Sequence, residues 1–164
     1  MKVWGVVGWK NSGKTGLMER LVSEFVARGL SVSTIKHAHH VFDVDQPGKD
    51  SYRHREAGAT EVLLASRKRF ALMHEHRAEN EPELKELLTK LAPVDLVLVE
   101  GYKRDRHPKI EAHRSENRNT LIATEDTTIR AIASDNGTNA DGRPTFGLDD
   151  TVAIADFIAT ELGL

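Results

Sequence analysis

Lys2-Val3-Trp4-Gly5-Val6-Val7-Gly8-Trp9-Lys10-Asn11-Ser12-Gly13-Lys14-Thr15-Gly16 is the stretch that decides the fold. Val3, Trp4, Val6 and Val7 are strand formers, and their run stops at Gly8. After Lys14, the residues Leu17, Leu21 and Phe25, with Met18, Val22 and Val26 beside them, repeat at helical spacing. Gly29 then stands where a left-handed helix C-cap is expected. Between strand and helix, Gly8–Thr15 satisfies G-x-x-x-x-G-K-[ST] in full. Gly8 and Gly13 let the backbone wrap an anion with successive N–H groups turned inward. Lys14 supplies a positive charge to β- and γ-phosphates, and the Thr15 hydroxyl is placed to ligate Mg²⁺. The helix adds its dipole to the same point. Leu30–Ile35 reads as a second strand, so the opening segment is a βαβ unit with two parallel strands.

Outward from that unit, the pattern breaks at 36–59, which is crowded with His, Asp, Lys and Arg and contains Pro47-Gly48. This reads as a long functional loop followed by a short helix around Asp50–Ala57. Thr60–Ala65 and Arg69–Met73 predict a hairpin across a short basic link. Asn80 with Glu83 resembles a capping box for a helix whose buried stripe is Leu84, Leu87, Leu88 and Leu91. Val94–Val99 is a continuous apolar run of strand length, as expected of a central parallel strand covered on both faces. Residues 101–119 read as a polar, basic loop, and Thr120–Ala123 and Ile129–Ala133 as two further strands. A Gly- and Asn-rich loop at 135–143 leads to a last helix, capped by Asp149 or Asp150 and carrying Ile154, Phe157, Ile158 and Leu162. Such alternation predicts an α/β, three-layer nucleoside-triphosphatase fold with a phosphate loop, its sheet mostly parallel with an added antiparallel hairpin. The expectation is one nucleotide-binding domain over residues 1–164.

Composition narrows the function classes. The 164 residues carry 23 Lys+Arg against 25 Asp+Glu, a formal charge of −2, which argues against a dedicated nucleic-acid or anionic-membrane binder. With no Cys there are no disulfides, thiolate metal sites or cysteine nucleophiles, so any metal is expected to sit on oxygen ligands. Aromatics at 5% leave little for a base-stacking platform. No apolar stretch approaches the ~20 residues of a membrane span, and Val3–Trp9 is too short and glycine-broken for a signal peptide. The expected setting is cytoplasmic.

A phosphate loop needs an acid on its metal side, at the end of a neighbouring strand. Glu100 emerges from Val94–Val99 beside a flexible Gly101. Its rival Asp95 starts the same strand, about 13 Å or more away at ~3.3 Å per residue, whereas phosphates bind at the carboxyl ends of parallel strands. The expected nucleotide contacts are Gly8, Asn11, Ser12, Gly13, Lys14, Thr15 and Gly16, with Lys36, His37 and Asp50 from the following loop. Lys14, Glu100 and Asp45 are the expected catalytic groups, Asp45, with Lys49, Asp50 and Ser51, through Mg²⁺ water shells or by ordering a hydrolytic water, and Thr15 and Glu100 the expected Mg²⁺ ligands. His37, His39 and His40 lack the spacing of a tight metal site and are expected to face phosphates, substrate or loop backbone. Tyr102–Lys109 is the densest basic stretch and reads either as a local anion or partner site or as a solvated loop.

Three blocks, in this order, resemble the molybdopterin-guanine dinucleotide biosynthesis protein B family. They are Gly8–Thr15; Lys36-His37-x-His39-His40 running through Asp45, Pro47–Ser51 and Arg53-His54-x-x-Ala57-Gly58-Ala59; and Val99–Lys103 with Pro108-Lys109-Ile110-Glu111. The resemblance covers most of the chain, and the second and third blocks are its specific part. It implies a GTP-binding protein with a mixed sheet, typically homodimeric, with weak Mg²⁺-dependent GTPase activity. Such a protein assists the guanylyltransferase that joins GMP to molybdopterin, so that enzyme, and molybdopterin or its guanine dinucleotide, are the implied partners. Nucleic acid and membrane are not.

The chain has no Asn-Lys-x-Asp guanine-reading sequence; Thr124-Glu125-Asp126 and Ser134-Asp135 are the carboxylates weighed for that role. GTP and Mg²⁺ are thus the expected cofactors, with guanine resting on the resemblance. A small-molecule kinase using 102–109 as a lid is the competing reading, because it needs the same phosphate-binding groups.

Overall fold

The computed structural model describes residues 1–38, 44–78 and 80–164. The expectations on His39 and His40 lie outside the described residues. In chain order the elements are β1 (Lys2–Val7), α1 (Lys14–Ala27), β2 (Val32–Lys36), α2 (Asp50–Glu56), β3 (Glu61–Ala65), β4 (Phe70–His74), α3 (Leu84–Leu88), β5 (Leu96–Glu100), β6 (Lys109–His113), β7 (Ile129–Ser134), β8 (Thr145–Gly147) and α4 (Thr151–Leu162). They fall into two compact units, Met1–His37 with Leu88–Leu164, and Ala38–Leu87.

The first unit is built on a six-stranded sheet of order β2-β5-β1-β6-β7-β8. Every one of its ladders is parallel. α1 carries the chain from β1 past β5 to β2, which makes β1 the point where the strand order turns, the position at which doubly wound sheets bind ligands. Side chains alternate between faces. Trp4 and Val6 of β1, Leu96 and Leu98 of β5, and Ile110 and Ala112 of β6 point to one side, where Leu17, Leu21 and Phe25 of α1 and Ile154 and Ile158 of α4 complete the main core. Val7, Ile129 and Ile132 point to the other side and meet Leu121, Ala123 and Ala140. α1 ends at Arg28 with Gly29 at φ +86°, the left-handed cap that its sequence predicts, and Asp150 caps α4 by accepting from the Ala153 N–H. No helix among the described residues is long and apolar enough to cross a membrane.

The second unit holds α2 and the antiparallel pair β3–β4, the hairpin the sequence predicts, as its own two-stranded sheet. The mixture of parallel and antiparallel pairing is therefore divided between two sheets.

Several expectations need correction. The 101–119 segment is not loop throughout: β6 runs through it and is buried at every position, including Lys109, Glu111 and His113. The charges of Lys109 and Glu111 survive there because each has partners. The Lys109 ammonium donates to the carbonyls of Asp105 and His107 and to Thr128 Oγ1, and lies 3.7 Å from Asp126. The Glu111 carboxylate accepts the backbone N–H groups of Ile122 and Ala123 at 2.9 and 2.8 Å. Those N–H groups belong to a 3-10 turn over Ile122–Thr124, so Thr120–Ala123 is not the expected strand; the turn aims its free N–H groups at Glu111 instead of at a ladder. Leaving a buried carboxylate unpaired in β6 would cost several kcal/mol, so turn and strand specify one another. β8 occupies residues read as the approach to the last helix. The capping box at Asn80 is absent too. α3 starts only at Leu84, with the Glu86 carboxylate accepting from the Glu83 N–H, and it stops before Leu91.

Candidate functional site

All six parallel strands of the first unit bring their carboxyl ends to one edge, and the turn after β1 is the glycine loop Gly8–Gly13. Three of its residues take positive φ: Gly8 at +149°, Asn11 at +62° and Gly13 at +91°. A Cβ on Gly8 would lie 2.4 Å from the Ala112 carbonyl and from Ser12 Oγ, so only glycine lets the loop close against β6. The loop is pinned by the Ser12 N–H to the Trp9 carbonyl and by the Leu17 N–H to the Gly13 carbonyl. Ser12 Oγ is buried with no hydrogen-bond partner among the described residues, an oxygen left to a ligand of the loop. The Lys14 ammonium folds back onto the Trp9 carbonyl at 2.6 Å. Thr15 stands exposed in the first turn of α1, with Gly16 after it.

The neighbouring strand ends supply charge. Lys36 and Glu100 are register partners on β2 and β5, and their side chains meet at 3.4 Å. The His37 N–H donates to the Glu100 carbonyl, and the Gly101 N–H to the Val6 carbonyl, tying the ends of β2, β5 and β1 together. His37 stacks obliquely on Tyr102 with ring centroids 4.8 Å apart. Burial holds the Lys14 ammonium below its ordinary pKa; nearby Glu100 opposes this, while Lys103 and Lys36 add to it. Lys103 itself lies over the Trp9 ring at 4.3 Å, and burial lowers its pKa as well. Lys14, Lys36 and Lys103 thus act on one another at this edge, with Glu100 beside Lys14 and Lys36, and such a gathering of ammonium groups favours an anion.

Asp95 is far from this edge. At the start of β5 it accepts from the Ser31 N–H and Oγ at 2.8 and 2.6 Å, fastening β2 to β5. That is a structural task, and it leaves Glu100 as the strand-end carboxylate beside the loop. Asp45 and Asp50 lie in the second unit. Asp45 is nearly buried and pairs with Arg55 at 2.8 Å, and Arg55 also reaches Glu75 at 3.3 Å and lies over the Tyr52 ring. Arg55 is therefore part of an ion-pair network rather than a solvated helix face. Asp50 is the first residue of α2.

Sequence reasoning missed Arg114 and Glu116. With Asn11–Gly16 they line a cleft of about 370 Å³ on the β6 side of the loop. Arg114 continues the alternation of Ile110 and Ala112, as Glu100 continues that of Leu96 and Leu98, so the two flank the loop from the strands on either side of β1. The signal was hidden because β6 itself reads as loop.

The molybdopterin guanine dinucleotide synthesis protein B family model matches residues 3–135. The chain is 39% identical over 158 residues to the molybdopterin-guanine dinucleotide biosynthesis adapter protein of Escherichia coli K12, covering 92% of this chain and 87% of that one. It is 40% identical over 154 residues to the protein of the same name from Haemophilus influenzae, covering 94% and 85%. The crystal structure of a MobB protein homolog from Bacillus stearothermophilus superposes with a TM-score of 0.75 at 31% identity over 99% of both chains.

Proposed function

The chain belongs to the molybdopterin guanine dinucleotide synthesis protein B family, and from that premise we propose that it is an adapter protein of molybdopterin-guanine dinucleotide biosynthesis that binds Mg-GTP at Gly8–Thr15 and hydrolyses it slowly. One observation carries the reading: a glycine loop with three left-handed residues and a buried Ser12 hydroxyl unpartnered among the described residues, set at the strand-order turn beside Glu100 and a cluster of ammonium groups. Backbone N–H groups of residues 11–15 and the Lys14 ammonium would hold the phosphates, and Lys36 would neutralise a terminal phosphate beside Glu100. Thr15 and Glu100 would hold Mg²⁺, which when bound draws charge from the β- and γ-phosphate oxygens. Lys103, over the exposed Trp9 ring of the loop, would add its charge to the phosphates.

A guanylyltransferase that consumes GTP is the partner this reading implies, with the adapter presenting nucleotide or receiving its product. Leu63, Leu64, Phe70 and Leu72 of β3 and β4 are each half exposed or more, an apolar hairpin surface that supports a homodimer. A competition titration of GTP, ATP and molybdopterin against the purified protein with Mg²⁺ is the test. GTP is expected to bind, with slow release of inorganic phosphate and no phosphorylated pterin. ATP preference with phosphate appearing on a small molecule would establish the kinase reading instead.

A further inference from the structure

We infer that the cleft along the glycine loop takes the phosphates at Asn11–Gly16 and the nucleoside at its Arg114–Glu116 end, and that the Glu116 carboxylate reads guanine there. The inference rests on the nucleotide reading of Gly8–Thr15 and adds to it the base-selecting residue.

The topology assigns the ends of the ligand. Lys36 and Glu100 meet beside Lys14 on the β2–β5 side of the loop, where the charge of a terminal phosphate and metal would be met. The nucleoside must then leave on the other side, over β6. That side holds the cleft, of a size that small-ligand sites occupy. Its wall is made by Gly13, where an added Cβ would lie 3.0 Å from Leu148 Cδ2 and 3.2 Å from Arg114 Nε. Gly13 therefore lets the loop pass over the core side chain of Leu148 and close to a guanidinium that can pair with an α-phosphate oxygen. Among the described residues neither the Arg114 nor the Glu116 side chain has an ion-pair or hydrogen-bond partner, although both border the cleft.

The chemistry of the base selects Glu116. Guanine offers N1–H and an exocyclic amine on one edge, which a carboxylate accepts together; adenine presents a bare N1 lone pair there and is repelled. Asp126 and Asp135 are committed elsewhere. Asp126 lies at the amino end of β7, bonded to the Thr128 N–H and hydroxyl and close to Lys109, on the sheet edge away from the loop. Asp135 takes the Ser115 N–H on one oxygen at 3.0 Å and the Ser115 hydroxyl on the other at 3.2 Å. Asp135 is thereby the positioning residue that fixes the 3-10 turn Ser115–Asn117 on which Glu116 is displayed.

Calorimetric titration of the full chain with the Mg²⁺ complexes of GTP, ATP, inosine triphosphate and xanthosine triphosphate tests this. The wild type is expected to prefer GTP over ATP by about tenfold or more, with inosine triphosphate between them, since one bond to a charged acceptor is at stake. Glu116→Gln should bring GTP and ATP within about threefold of each other and raise xanthosine triphosphate affinity about tenfold, because an amide can donate to the 2-oxo group. Its ATP affinity, held near wild type, reports that the turn remains folded. A GTP:ATP ratio unchanged in Glu116→Gln overturns the assignment, as does transfer of preference to xanthosine triphosphate by Asp135→Asn instead. Equal binding of all bases by the wild type overturns the subsite alone. Absence of any nucleotide binding overturns the reading of Gly8–Thr15 beneath it.

Discussion

Lys14→Ala is expected to weaken Mg-GTP binding by about a hundredfold or more, the equivalent of one strong charge-assisted contact. The Lys14 ammonium is held inside the loop, on the Trp9 carbonyl at 2.6 Å, with its charge felt by Glu100. Nothing else described occupies the position from which it reaches the centre of the loop. The fold should survive the change. Ser12 and Leu17 N–H groups keep the loop closed without the lysine, Glu100 retains Lys36 at 3.4 Å, and the core beneath is Trp4, Val6, Leu17 and Leu21. Calorimetry should therefore lose the binding heat while the melting temperature and circular dichroism stay close to wild type. Affinity equal to wild type would remove Lys14 from the site.

The second large effect is expected from Glu100→Gln, which keeps the shape of the side chain and removes its charge. Mg²⁺-dependent phosphate release should fall at least about tenfold, with nucleotide affinity changed far less, because the carboxylate serves the metal rather than the base or sugar. A pH signature separates this from simple damage. Glu100 raises the Lys14 pKa against burial, so in the variant that pKa drops further and less of the lysine is protonated at alkaline pH. Nucleotide affinity should then decline at a lower pH in Glu100→Gln than in the wild type. Equal turnover by the two proteins would exclude Glu100 as the metal-side acid, and an unmoved alkaline limb would uncouple it from Lys14.

What the sequence discloses of this fold follows how purely each element obeys one pattern. β1, the glycine loop and α1 are legible because strand formers, two glycines at fixed spacing and a 3.6-residue apolar repeat stand side by side. β5 is legible as the apolar run at the centre of the sheet, flanked by β2 and β1. β6 is opaque because Lys109, Glu111 and His113 alternate with Ile110 and Ala112, which in sequence describes a half-solvated strand or a loop. Only tertiary partners, Thr128 for Lys109 and the Ile122–Thr124 turn for Glu111, make that charged face buriable. β8 is three residues long and carries no pattern of its own; it exists because β7 offers a ladder.

The site divides the same way. Lys14, Thr15 and the choice of Glu100 over Asp95 follow from motif and strand polarity, and the Ser31 bonds of Asp95 agree with that choice. Arg114 and Glu116 have no motif and acquire meaning only once β6 is seen to end beside the loop. Asp45 shows the converse. Its loop reads as functional in sequence, and its strongest described contact is an ion pair with Arg55 inside the second unit.

The most direct measurement is a crystal structure with a non-hydrolysable GTP analogue and Mn²⁺ in place of Mg²⁺, the metal located by its anomalous signal. The account predicts the β-phosphate within Gly8–Thr15, the metal between Thr15 and Glu100, and the guanine against Glu116. Analogue bound with its phosphates outside the glycine loop, or metal held away from both Thr15 and Glu100, would contradict it.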